Sequence, residues 1–302
     1  MKKSGYIKAI LQALLVTFLW STSFIIIKQG LLEIPPITFA GLRYLLAFFF
    51  FIPFFLKKKY ITELRLLTKI QWKKLILLGL VFYTFTQGCM FLGLYFLPSV
   101  TVSLMLNFTP LIVAIMGIWL LKEKPSLLQW SGAALFIVGI ITYFFPVNLA
   151  GNRGIGLTIM GIGILANAFS AIIGRSLNRS RNISPKVITF VSMGVGAILL
   201  VIIGIAKDGI PVLSFLNWIF LIWLAAINTA FAFTLWNVTL RTLTAMESSI
   251  INGTMLIQIA ILAWIFLGES ITLQEGTGMI ITAVGAVLVQ VRKNKTSPKS
   301  KL

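Results

Sequence analysis

Residues 187–206 read VITFVSMGVGAILLVIIGIA, twenty positions without a charge. At 1.5 Å per residue such a run makes a helix of about 30 Å, the thickness of a bilayer's hydrocarbon core. A transmembrane β-strand would be about half as long and would alternate in polarity, which this run does not. Nine more runs accompany it, at 9–27, 37–56, 75–97, 99–121, 127–146, 154–174, 215–237, 245–267 and 271–291, bounded by Lys/Arg, Pro, Gly or Asn. All are 19 to 23 residues long, which predicts an all-α membrane protein with ten transmembrane helices.

Composition agrees. Of 302 residues, 58% are apolar and 11% charged, with a mean hydropathy of +0.99, against roughly 45–50% and about 25% in soluble domains. A water-soluble enzyme is thereby excluded, and ten spans leave no stretch for a sizeable soluble domain. One cysteine (Cys89) and no histidine leave too few ligands for zinc or an iron–sulfur centre and no internal disulfide. There is no Gly-Lys-Ser/Thr phosphate loop, so ATP does not drive the chain. No cofactor is expected. The start, Met1-Lys2-Lys3 before an apolar run, imitates a signal peptide. With no Ala-x-Ala-like site following, it reads as a retained first helix.

The net charge of +19 comes from 26 Lys/Arg against seven Asp/Glu. Counted over alternate connections, 22 of these cations fall on the side of the N-terminus and three (Lys28, Arg153, Lys207) on the other, with Arg43 inside a run. The positive-inside rule then puts both termini in the cytoplasm. The basic excess, including Lys57-Lys58-Lys59, is matched to topology and to anionic lipid on the cytoplasmic side, and needs no nucleic acid.

Slid against itself by 146 residues, the chain aligns 71–142 with 217–288 without a gap, at 16 identities in 72 positions. Trp72 meets Trp218, Phe85 meets Phe231, Glu123 meets Glu269, and Gly132 and Gly139 meet Gly278 and Gly285. At an offset of 147, Ser23, Ile25 and Lys28 meet Ser170, Ile172 and Arg175. The expected division is a first repeat at 1–148, a second at 149–291 and a basic cytoplasmic tail at 292–302. Five helices per half invert the second relative to the first, the pattern of secondary transporters with a midplane site between the repeats.

The segments Trp20-Ser21-Thr22-Ser23-Phe24, Gly41-Leu42-Arg43-Tyr44, Glu123-Lys124-Pro125-Ser126 with Gln129-Trp130-Ser131-Gly132, and Gly268-Glu269-Ser270-Ile271-Thr272 with Gly278 and Gly285 resemble an EamA-type member of the drug/metabolite transporter superfamily. The resemblance covers nearly the whole chain as two EamA-like units. It implies ten helices, a cell-membrane location and movement of small metabolites, often efflux of amino acids or related compounds. One departure is Leu256, at the position matching Pro110, where the family more often has Pro.

Arg43 lies about a turn and a half into the second helix, where a charge costs several kcal/mol unless it pairs, snorkels or faces water. It either recognises a substrate carboxylate or gates, or it is a structural residue with Glu33 as an available partner. In the fourth helix, Pro110 within Asn107-Phe108-Thr109-Pro110 removes a backbone hydrogen bond and predicts a kink. Asn252-Gly253-Thr254 lies at the matching place in the ninth helix. Interrupted helices at corresponding places point to a transport site; the alternative is a packing kink.

The other candidates are Trp20, Ser21 and Ser23 in the first helix, Tyr83, Thr86 and Gln87 in the third, Asn167 and Ser170 in the sixth, Asn228, Trp236 and Asn237 in the eighth, and Gln258 in the ninth. Singly, each suits helix–helix bonding or an interfacial belt. Together they require a wet or protein-lined interior fit for a zwitterionic or amphipathic metabolite. Glu123 and Glu269 precede the fifth and tenth helices and read as caps on them. Gly132/Gly139 and Gly278/Gly285 predict close packing, between the halves or between the subunits of a homodimer. No acid lies mid-helix, Glu247 being the nearest, so proton coupling has no support over facilitated diffusion or exchange.

The expectation is an alternating-access exporter of amino acids or related metabolites. Sugars, nucleotide sugars or quaternary amines remain alternative cargoes, and a non-transporting scaffold or sensor is a rival of another class. An intramembrane enzyme is disfavoured for want of His, paired acids or an activated nucleophile.

Overall fold

A computed structural model of the chain describes residues 3–55, 57–121, 126–146, 151–179, 183–239, 242–243 and 245–290. Among them every regular element is helical: α1 (Lys3–Gly30), α2 (Pro36–Phe55), α3 (Lys58–Arg65), α4 (Lys69–Leu78), a π-helix π1 (Gly79–Thr86), α5 (Gln87–Phe96), α6 (Ser99–Leu106), α7 (Phe108–Leu121), α8 (Leu127–Phe144), α9 (Gly151–Arg179), α10 (Pro185–Asp208), α11 (Phe215–Ala225), π2 (Ala226–Phe231), α12 (Ala232–Thr239), α13 (Ala245–Leu267) and α14 (Leu273–Gln290). Among the described residues, seven helices are long and apolar enough to cross a membrane. Shorter apolar helices, Ser99–Val113, Ile251–Leu267 and Leu273–Leu288, stand where the fourth, ninth and tenth runs were read. Glu123 and the tail 292–302 lie outside the described residues, as do the side chains of Arg175, Asn237 and Glu247.

Helix starts follow local chemistry, and they follow it twice. Thr68 and Gln71 form a reciprocal capping box on α4, and Ser126 and Gln129 form another on α8. At the same 146-residue offset, the Ser214 hydroxyl accepts from Asn217 N on α11, and Thr272 and Glu275 exchange bonds at the start of α14. Each cap satisfies backbone donors that a helix cannot satisfy itself, at about 1 kcal/mol apiece.

The halves interlock through two seams. In one, α2 lies along α10, so close that a Cβ on Gly41 would sit 2.7 Å from Val201 N. In the other, α8 lies along α14, where a Cβ on Gly139 would sit 2.5 Å from Thr282 N and one on Gly278 2.7 Å from Tyr143 N. The expected glycine face is therefore used inside the chain, between the halves. The remaining packing obeys the same exchange: α10 crosses π1 as α2 crosses π2, and α9 packs on α5 as α1 packs on α12.

Of two expected helix breaks, one is present and one needs correction. The chain breaks just before Pro110, at Asn107, which ends α6. Pro110 is the third residue of α7, and its ring disfavours the carbonyl four residues back, at Leu106, where α6 stops. The matching Asn252-Gly253-Thr254 is unbroken helix inside α13. Glycine costs only about 1 kcal/mol and keeps its N–H, and with Leu256 in place of a proline nothing removes a donor there.

Candidate transport site

The paired interruptions lie instead in the third and eighth helices. π1 occupies 79–86, and π2 at 226–231 falls inside its image at 225–232. π-Segments inside α-helices are rare and gather at functional sites. In each, a threonine hydroxyl takes up a carbonyl five residues back: Thr86 Oγ1 donates to Val81 O at 3.0 Å, and Thr229 Oγ1 donates to Leu224 O at 2.8 Å.

Around these segments the structure assembles most of the expected residues. Arg43, the eighth residue of α2, is 4% exposed, and its Nε donates to Thr229 Oγ1 at 3.2 Å. Its guanidinium carbon stands 5.3 Å from the ring centroid of Tyr44. Tyr44 in turn donates to Gln87 Oε1 at 2.7 Å and packs edge-on against Tyr83. Next to Thr229, Asn228 is fully buried; its Nδ2 donates to Ser23 Oγ at 2.8 Å, to Thr22 Oγ1 at 3.1 Å and to Leu19 O. A polar path thus runs from α2 through π2 to α1, crossing from the first half into the second and back.

Glu33 does not neutralise Arg43: its carboxylate accepts from Asn217 Nδ2. A guanidinium carries five N–H donors, and among the described residues only the bond from Nε to Thr229 meets them. Such a bond returns about 1.5–3 kcal/mol, whereas an unpaired charge removed from water costs several. The Arg43 charge is therefore matched by no carboxylate among the described residues.

The aromatic candidates meet nearby. The Trp20 ring lies 5.2 Å from Phe233 and 5.3 Å from Trp236, centroid to centroid. Two buried polar atoms have no partner there: Trp20 Nε1 and Asn228 Oδ1. Each unmet group costs about 1–3 kcal/mol, so a ligand that supplies an acceptor and a donor would be stabilised.

Other candidates fall elsewhere. Ser21 donates to Gln258 Oε1 at 2.9 Å, and Gln258 Nε2 reaches Thr254 Oγ1 at 3.0 Å, tying α1 to α13. Asn167 on α9 donates to Thr109 Oγ1 at 3.0 Å on α7, one residue before Pro110. Among the described residues Asn107 bonds locally, to Ser103 O at 2.9 Å, and Asn252 is exposed on α13. Thr229 was not singled out in the sequence, and Tyr44 only as part of the Gly41–Tyr44 motif and not as a site residue; their adjacency to Asn228 and Arg43 was the available signal.

At one end of the bundle, Glu269 departs from its expected role. It does not cap α14, which Thr272 and Glu275 serve; its carboxylate accepts from Ser99 N at 2.8 Å and Val100 N at 3.3 Å, at the start of α6. On the other side of the same turn, Lys28 Nζ donates to Leu94 O at 2.6 Å and Leu97 O at 2.7 Å, at the end of α5. Each charge sits at the helix terminus of opposite sign.

Two halves with matched interruptions in corresponding helices and a buried polar path between them form a transporter's frame. Comparison with known proteins decides the family: the EamA-like transporter family profile matches residues 7–145 and again 154–291. The chain belongs to the EamA-like transporter family. An uncharacterized transporter of Bacillus subtilis, YoaV, is 22% identical over 292 residues, covering 92% of this chain and 95% of that one. A protein of Salmonella typhimurium named a "probable amino-acid metabolite efflux pump" is 29% identical over 180 residues, 59% of this chain and 54% of its own. A solved crystal structure superposes with a TM-score of 0.67 at 16% identity, covering 94% of this chain and 97% of that one, which is a likeness of fold. This EamA chain is a multi-pass membrane transporter, and its relatives are transporters, not enzymes.

Proposed function

We propose that the chain exports amino acids or closely related carboxylates from the cell by alternating access. It does so as ten spans in two inverted repeats, 1–148 and 149–291, in the cell membrane with both termini cytoplasmic. The observation that carries the cargo class is Arg43, buried between the halves with, among the described residues, one hydroxyl for a partner and no carboxylate. A substrate carboxylate is the anion that fits: planar, bidentate and matched to the free edge of a guanidinium. Asn228 Oδ1 and Trp20 Nε1 add an acceptor for an ammonium and a further donor, and the rings of Trp20, Phe233 and Trp236 offer an apolar wall. The name carried by the Salmonella relative supports the same cargo and direction.

The test uses purified protein in liposomes loaded with a labelled amino acid. Efflux is expected to be inhibited by other zwitterionic amino acids, and much less by the decarboxylated amine or the methyl ester of the same compound. Equal inhibition by the amine would overturn the Arg43 reading and favour a cation held by the Trp20 aromatic wall.

A further inference from the structure

Lys28 and Glu269 grip the turn at Leu97–Pro98 from both sides. Lys28 belongs to the first half and holds the last carbonyls of α5; Glu269 belongs to the second half and holds the first two N–H groups of α6. Both face a cavity of about 470 Å³ that opens at this end of the bundle, lined also by Gln29, Leu97, Pro98 and Leu267. Below the turn, Val100 and Leu104 of α6 pack with Leu256, Ala260 and Ala263 of α13 in one buried apolar cluster. A dry seam between the halves thus lies under a pair of charges, and the Glu269 bonds are the polar contact that crosses it.

We propose that Lys28 and Glu269 form a two-charge clasp that holds the outer mouth of the transporter shut, and that Glu269 must release Ser99 and Val100 before substrate leaves. The placement at the outer face rests on the orientation proposed above; the clasp itself rests on the geometry. In an inverted repeat, α6 can separate from α13 at this end only when that cross-half bond opens, so the charge on Glu269 sets how often the mouth opens. A carboxylate on two backbone N–H groups is strong enough to keep the seam closed and, beside an open cavity, is rehydrated when it lets go.

Ser99 supplies the probe. It is 0% exposed, and its hydroxyl has no hydrogen-bond partner, so Ser99→Cys keeps the backbone N–H that Glu269 grips and sacrifices no side-chain bond. In a Cys89→Ala background, a membrane-impermeant maleimide is applied to intact cells and to inside-out vesicles. From outside, Ser99→Cys is expected to label slowly. Glu269→Gln is expected to speed labelling about tenfold, the opening factor that follows from losing one charge-assisted hydrogen bond. Lys28→Met, which breaks two bonds inside the first half and leaves the cross-half bonds in place, is expected to speed it less. Thr272→Ala, which removes the neighbouring cap on α14 but touches neither charge, leaves the rate unchanged. Labelling equally slow in all variants from both faces would overturn the clasp, as would a parent already labelled at the rate of a loop cysteine. Acceleration seen only in inside-out vesicles would overturn the outer placement. None of these readings needs a substrate, so the clasp and the proposed cargo fail separately.

Discussion

Arg43 Nε donates to Thr229 Oγ1 across 186 residues of sequence, from α2 of the first half to the π-helix of the second. The threonine is committed on its other side, since its own hydroxyl proton goes to Leu224 O. The guanidinium is therefore held by its stem edge, and on the proposed function its fork is the part that meets substrate. Thr229→Val should leave the charge in place but unaimed. A loss of one bond to a charged group, about 1.5–3 kcal/mol, predicts transport affinity weaker by about ten- to a hundredfold. Arg43→Lys, a point charge without the fork, should be nearly as poor. Kinetics of labelled efflux from liposomes check both.

Trp20→Phe separates a structural from a binding role. Trp20 Nε1 is a buried donor with no partner, so its removal should leave the melting temperature unchanged or raised. If the donor meets substrate, the same variant raises KM severalfold while maximal flux is kept. A fall in stability together with an unchanged KM would make the ring a packing element only.

The seam of α8 and α14 admits no side chain at Gly139, Gly278 or Gly285. At Gly278 a Cβ would meet the Tyr143 backbone at 2.7 Å, whereas at Gly161 nothing lies within 4 Å. Gly278→Val should therefore cost about 1–3 kcal/mol by overpacking, and Gly161→Ala should be neutral or slightly stabilising. Thermal unfolding in detergent compares them directly.

How the sequence and the structure compare depends on the range of the interaction. The helical class, the apolar runs and the two-fold repeat were legible, because hydrophobic run length and self-similarity are written locally or as a fixed offset. Arg43, Tyr83, Gln87, Asn228, Ser23 and Trp20 were legible as polar or amphipathic residues out of place in apolar helices. The π-segments were not: residues 79–86 form an unbroken mostly apolar run with no proline, and one extra residue per turn leaves no compositional mark. Asn252-Gly253-Thr254 misled because glycine weakens a helix without removing a donor, and α13 is held by its neighbours. Glu269 misled for the opposite reason. Its nearest helix in sequence is α14, but the free N–H groups that reach it belong to α6, 170 residues away.

The threonines that take up carbonyls in the two π-helices make a stability prediction of their own. Thr86→Val removes the bond that satisfies the Val81 carbonyl and should cost about 1 kcal/mol. If π1 must change its winding as the halves rock, flux in this variant changes by more than the protein's stability does. Paired measurements of efflux rate and unfolding temperature would show it.

The most direct measurement is of what leaves the cell. Wild type and Arg43→Gln are expressed at matched membrane levels, and metabolites accumulating in the medium are compared. The account predicts a small set of solutes enriched by wild type alone, every one bearing a free carboxylate. Enrichment of solutes without a carboxylate, or an Arg43→Gln profile equal to wild type, would contradict it.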